Sequence, residues 1–360
     1  MDAPFPFGFP LPTAFYLCLY LVTLVVHAVF MNYVLAGSAY LAAAHVIGGA
    51  SLDENPVVAK LRDWMPLMLS AAITAGIAPL LFLQIIYSKQ FYTANLLLFH
   101  RWMAILPLLI IGFYLAYLVK AKRLRVWPWP ARAAVGCGVF ACFAFVGWSW
   151  VENHLLSVAP QVWAGQYHSG ELVFHSPELV PRLVLWFTAA FPTMALLVAW
   201  QLWDARDKSI DATAPPPGSR RISAVALAGL TASSLAAVAY LTAMGPDARA
   251  TITGALARPY LVLALVGGLI QAVAWAGHYR HGRLSLGWLS LASAGLLIGF
   301  TGMAVCNEAT RLAALDIASL YPDHAAAWQV GGFPAFVFFL LVNFALVFYC
   351  IRLVRRRTMT

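Results

Sequence analysis

The run from Thr13 to His45, TAFYLCLYLVTLVVHAVFMNYVLAGSAYLAAAH, contains no Asp, Glu, Lys or Arg and decides the fold class. A helix crossing the hydrocarbon core needs about 20 apolar residues. This run exceeds one crossing, and its second half, GSAYLAAAHVIGGAS from Gly37, reads as helix continuing past the membrane. Eight further charge-free stretches follow at 64–88, 102–119, 133–151, 183–203, 222–246, 259–279, 284–307 and 325–351. The reading is all-α: a polytopic membrane protein of nine transmembrane helices, forming one transmembrane domain over 1–360. Its largest outer loop is 152–182 and its one linker-like stretch is DARDKSIDATAPPPGSRR, from Asp204 to Arg221. Composition agrees. Charged residues are 10% of the chain, against roughly 25% for a soluble domain, and hydrophobic residues are 62%. Mean hydropathy is +0.78. Pro66, Pro79, Pro107 and Pro192 fall inside spans, where neighbouring helices can satisfy the freed backbone groups.

The net charge of +9 concerns topology rather than nucleic acid, because no Lys/Arg-rich stretch is long enough to track a phosphate backbone. With the N-terminus outside, the inner segments carry 17 of the 23 Lys and Arg and the outer segments 6. The densest inner clusters are Lys120, Lys122, Arg123, Arg125 and Arg132, and the tail Arg352, Arg355, Arg356 and Arg357. That bias predicts N-out, C-in: N-terminus periplasmic and C-terminus cytoplasmic in a bacterial inner membrane. MDAPFPFGFPLP lacks the basic region of a signal peptide, so the first apolar segment is expected to stay. The five cysteines, Cys18, Cys137, Cys142, Cys306 and Cys350, include no C-x-x-C. A disulfide framework, a zinc ribbon and a covalent c-type haem site are therefore not expected.

Ionisable groups at membrane depth are costly and mark function. His27 lies deep in the first span, with Met31 one turn on and Asn32 beside it. Two readings are open: a neutral imidazole bonded to a neighbouring helix, or an axial ligand of a non-covalent b-type haem. Glu308 and Arg311, in GFTGMAVCNEATRLAAL, share a face at i, i+3 near the outer end of the eighth span. They read as a helix-end ion pair, or as a haem or proton-relay carboxylate with an arginine for a haem propionate. His100 and Arg101 open the third span, His154 ends the fourth and His324 starts the ninth, all at the outer side. The outer loop carries Glu152, Glu171, Glu178, His168, His175, Trp163 and Tyr167, either interface anchors or a site for an extracytoplasmic partner. His278 and His281 form an H-x-x-H in GHYRHGR that lacks the third ligand of a zinc site. Paired histidines on facing helices, a P-loop, a G-x-G-x-x-G turn and a nucleophile elbow are absent from the sequence, and no inverted repeat is evident.

Together these segments resemble a known family. VVHAVFMNYVLAGSAYL, SAAITAGIAPLLFLQIIYSKQFYTAN, WSWVEN and GMAVCNEATR, set in a nine-helix N-out layout, are similar to segments of subunit I of the cytochrome bd quinol oxidases. The resemblance spans most of the helical core. It implies that His27 takes the place of a haem-ligating histidine of the active-site pair, and Glu308 that of the carboxylate ligand of the other high-spin haem, with Arg311 beside it. His100 falls near a glutamate serving the oxygen site, and Arg258 resembles an arginine close to the low-spin haem. The chain departs from the family at Trp186, where the low-spin haem histidine belongs, and at Tyr260, where its methionine partner belongs. GPDARATITGALARP is also far shorter than the quinol-binding loop. The expectation is a divergent, haem-b-binding subunit of a respiratory electron-transfer complex, with one or two haems b. Its expected partners are membrane lipid, another membrane subunit or a periplasmic multihaem cytochrome c, and a quinol, with no nucleic acid. The alternative from a different class is a non-redox transporter or membrane scaffold.

Overall fold

A computed structural model describes residues 8–47, 55–206 and 218–330, with isolated positions beyond them. The described residues form twelve α-helices and no strand. In chain order these are α1 (Leu11–Ile47), α2 (Pro56–Ile86), α3 (Ser88–Leu97), α4 (Phe99–Lys120), α5 (Trp129–Ser157), α6 (Trp163–Ser169), α7 (Leu179–Arg206), α8 (Ser219–Ala243), α9 (Pro246–Thr253), α10 (Arg258–His281), α11 (Leu286–Ala314) and α12 (Tyr321–Gln329). Eight of them, α1, α2, α4, α5, α7, α8, α10 and α11, are long and apolar enough to cross a membrane. They coincide with the first eight charge-free stretches, and the chain is an all-α, multi-pass membrane protein. The ninth stretch, 325–351, lies mostly outside the described residues. Its first five residues belong to α12, which ends at Gln329.

Local chemistry accounts for the boundaries. Asn55 caps α2, its side chain accepting the amide of Val57 at 3.1 Å, with Pro56 in the first turn where no amide partner is lost. Gly282, at φ 65°, ends α10 in a left-handed turn that a side chain would strain. Pro66, Pro79, Pro107 and Pro192 are each carried within continuous helices. α1 runs unbroken to Ile47, as its continuation past one crossing requires.

α1 is the axis of the bundle, packing on α2, α5, α7 and α11, while α4 packs on α5, α7 on α8 and α10 on α11. Large apolar side chains such as Leu106, Tyr114, Leu235 and Leu265 face outward, a surface suited to lipid and not to water. α10 and α11 approach closely through glycines, as small residues allow in membranes. A Cβ on Gly267 would lie 2.6 Å from Gly295 O and Gly299 Cα, whereas one on Gly268 would meet nothing within 4 Å. Gly267→Val is therefore expected to force the helices apart and abolish the monodisperse elution peak. Gly268→Val should elute like the parent. Equal behaviour of the two variants would contradict this contact.

Candidate functional site

The end of the bundle that carries Tyr20, Tyr87 and Arg311 holds a buried polar network. Glu308 is 0% exposed and Arg311 5%. Their i, i+3 spacing on α11 sets Arg311 Nη1 3.2 Å from Glu308 Oε2, a charge pair in which Oε2 has no hydrogen-bond partner. Glu308 Oε1 accepts from the Tyr87 hydroxyl in a short hydrogen bond. Arg311 Nη1 also donates to Tyr20 at 3.4 Å, and its guanidinium lies over the Tyr20 and Tyr87 rings. Arg311 Nη2 lies 2.5 Å from His154 Nδ1. Arginine can only donate, so His154 Nδ1 is the acceptor and its imidazole is the neutral tautomer protonated at Nε2.

α5 is the hub of this end. The charge-free stretch 133–151 would leave Glu152 in the outer loop. Instead α5 continues to Ser157, and Glu152 and Asn153 are buried. Helix persists there because each polar side chain finds its own partner. Glu152 Oε1 accepts the amide of Phe174 at 2.7 Å, and Oε2 lies 2.8 Å from Arg101 Nε. Asn153 donates to Asn95 at 2.6 Å, and His154 meets Arg311. Beside them Arg182, 3% exposed, donates to Asn307 Oδ1 in a short hydrogen bond and to the Tyr240 hydroxyl at 3.2 Å. It also stacks on Trp186 and Tyr240.

His27 lies elsewhere, one layer deeper. Seven residues of α1 separate it from Tyr20, about 10 Å of helix rise. Its Nδ1 is 3.0 Å from the carbonyl of Ala72 on α2, and the ring packs where a Cβ on Gly76 would sit 2.9 Å from Cε1. A carbonyl can only accept, so Nδ1 carries the proton and Nε2 is an unprotonated lone pair. The bond to Ala72 thus leaves Nε2 as the accepting nitrogen of the ring.

The remaining sequence candidates are dispersed. His100 and Arg258 are exposed at the starts of α4 and α10. His324 is fully buried and committed at both nitrogens, Nδ1 to Thr13 Oγ1 at 2.8 Å and Nε2 to Ile86 O at 2.9 Å, which ties α12 to α1 and α2. His278 is buried while His281 is exposed, so the H-x-x-H does not converge. Among the described residues no three His, Cys, Asp or Glu side chains gather to hold a metal ion. Cys18, Cys137, Cys142 and Cys306 are free thiols.

Tyr20, Tyr87 and Arg182 were not singled out from sequence. Arg182 had a signal, being the one Lys or Arg in 152–182. Tyr20 had a weaker one, standing two turns from His27 on the same face of α1. Tyr87→Phe is expected to cost about 1–3 kcal/mol, since it deprives a buried carboxylate of its donor. A thermal melt of the purified variant checks this, and an unchanged melt would mean that the hydroxyl adds nothing to holding Glu308. No known protein family, curated protein or solved structure matches the chain.

Proposed function

We propose that the chain is a haem-b-binding membrane subunit of a respiratory electron-transfer complex, a divergent relative of cytochrome bd subunit I. The observation that carries this reading is His27. An imidazole anchored through Nδ1–H to a backbone carbonyl is the arrangement that orients a histidine for ligation through Nε2. An accepting nitrogen at mid-span is costly unless something engages it, and an iron centre would do so. Ala72 O and Gly76 would hold the ring for the group, and Nε2 would be the donor atom. A second candidate donor is Glu308 Oε2, which is paired with Arg311 Nη1 at 3.2 Å and accepts no hydrogen bond. Bound haem b would supply one-electron transfer.

The protein's own side chains then have separable tasks. His27 binds, Ala72 and Gly76 orient it, and apolar helices exclude water around it. Arg311 holds the Glu308 carboxylate and places positive charge outward of His27, where haem propionates would meet it. His100 and Arg258, exposed at that end, would face a periplasmic cytochrome c or a membrane partner, and a quinol remains a candidate donor. A reduced-minus-oxidised visible spectrum of the purified chain tests the reading. Soret and alpha bands are expected. A flat spectrum in fully folded protein would leave a non-redox transporter or scaffold.

The proposed setting is the bacterial cytoplasmic membrane, N-terminus periplasmic and C-terminus cytoplasmic, with nine spans. A reporter fused after Arg357 is expected to be active only in the cytoplasm, and one inserted near Tyr167 only outside. Reversal of either result would overturn the span count.

A further inference from the structure

Away from the buried network, the flank of α5 carries a groove. Ala144, Trp148 and Glu152 recur every four residues, with Phe145 three before Trp148, so all four share one face of the helix. The faces on either side are taken. Gly138 and Cys142 lie against Leu115 and Gly112 of α4, and Phe140 meets Phe187 of α7 at 5.6 Å between ring centroids. The face between them looks outward, and Trp148 keeps 37% of its surface. Arg101, the third residue of α4, closes one end, its guanidinium 5.9 Å from the Phe145 ring centroid and 5.8 Å from that of Trp148. Arg101, Ala144, Phe145 and Trp148 together line a groove of about 290 Å³.

The groove shows a cation and hides its counterion. Arg101 keeps 16% of its side-chain surface, whereas the Glu152 carboxylate that meets Nε at 2.8 Å has none. Among the described residues no carboxylate lines the groove. An anion there would meet a guanidinium already held by Glu152 and two aromatic faces, and the arginine fork matches phosphate oxygens. The other walls are apolar and run deeper: Ala144 lies four residues, about 6 Å, further from the Arg101 end of α5 than Trp148 does. The 22 residues of α4 span about 33 Å, against a hydrocarbon core of about 30 Å, so Arg101 stands at headgroup level. Trp148 then sits as an interfacial aromatic, and Phe145 and Ala144 lie at the level of acyl chains. Anion at the surface and alkyl chain beneath it is the order of groups in a phospholipid.

We infer that this groove binds a phospholipid of net negative charge, with its phosphodiester on Arg101 and one acyl chain along Phe145 and Ala144. A zwitterionic headgroup binds more weakly, because its ammonium meets the same guanidinium and no accessible carboxylate. The volume is at the small end for ligand sites, so only the phosphate and the first stretch of one chain enter. The site stands on α4 and α5 and does not depend on haem at His27.

Native mass spectrometry of the full chain tests this, after titration in micelles with phosphatidylglycerol or with phosphatidylethanolamine of the same acyl chains. The parent protein is expected to retain one phosphatidylglycerol, and to retain phosphatidylethanolamine at a several-fold lower fraction. Arg101→Gln combined with Glu152→Gln removes the cation without stranding a buried carboxylate. It is expected to lower the phosphatidylglycerol-bound fraction several-fold, to the level of the zwitterionic lipid. Ala144→Trp fills the deep end of the groove and keeps both charges, and the same loss is expected. Equal retention of the two lipids by the parent overturns the proposal, as does undiminished phosphatidylglycerol retention in either variant.

Discussion

Arg311→Leu is expected to destabilise the folded chain by about 3–5 kcal/mol, the usual cost of removing one partner of a buried ion pair. The change strands Glu308, which is fully buried and keeps only the Tyr87 hydroxyl. It also takes the donor from His154 Nδ1 and the cation from between the Tyr20 and Tyr87 rings. Most of the penalty is the uncompensated carboxylate, so removing that charge should recover much of it. Glu308→Gln added to Arg311→Leu keeps an acceptor for Tyr87 and leaves no buried ion. Thermal melts of the two single variants and the double variant form the cycle that measures this coupling. Arg311→Leu melting with the parent protein would mean that Glu308 is not held as a paired carboxylate at all.

His27→Ala is expected to remove the whole spectral contribution of one haem while the protein still inserts and folds. Insertion survives because alanine lowers the cost of placing the first span in the bilayer. Folding survives because Ala72 O belongs to α2 and retains its helical amide partner when the imidazole is lost. Gly76→Val supplies the same result by another route, since its side chain would occupy the place of the His27 ring. Both variants should lose the same bands at unchanged amounts in the membrane. Unchanged spectrum and redox potential in His27→Ala would make His27 a core histidine, and the haem reading would lose its support.

The contrast between these residues shows where sequence reading reaches. The depth of His27 was legible because depth follows from distance along an apolar run. Its tautomer was not, because that depends on Ala72, 45 residues away on another helix. The pairing of Glu308 with Arg311 was legible from i, i+3 spacing on a single helix. That Tyr87 and His154 complete the network was not, since they arrive from α2's end and α5. Glu152 falls in helix rather than in the outer loop for the same reason: polarity alone ends a predicted span, whereas a polar residue with a partner extends the helix into the protein.

Hydropathy, charge-free length and the distribution of Lys and Arg are properties of the chain taken segment by segment. They were therefore enough to determine, without any structure, an all-α multi-pass protein and the positions of its eight described membrane-length helices. Which of its costly polar groups share an environment is a property of contacts between segments. Tyr20 and Arg311 meet across 291 residues, and Thr13 and His324 across 311. Only the packing of α1, α2, α5, α7 and α11 decided that one arginine serves Glu308, His154 and Tyr20 together, while His27 turns Nδ1 to Ala72. The physical reason is that burial makes an unpaired polar group expensive, and tertiary structure alone assigns the partners.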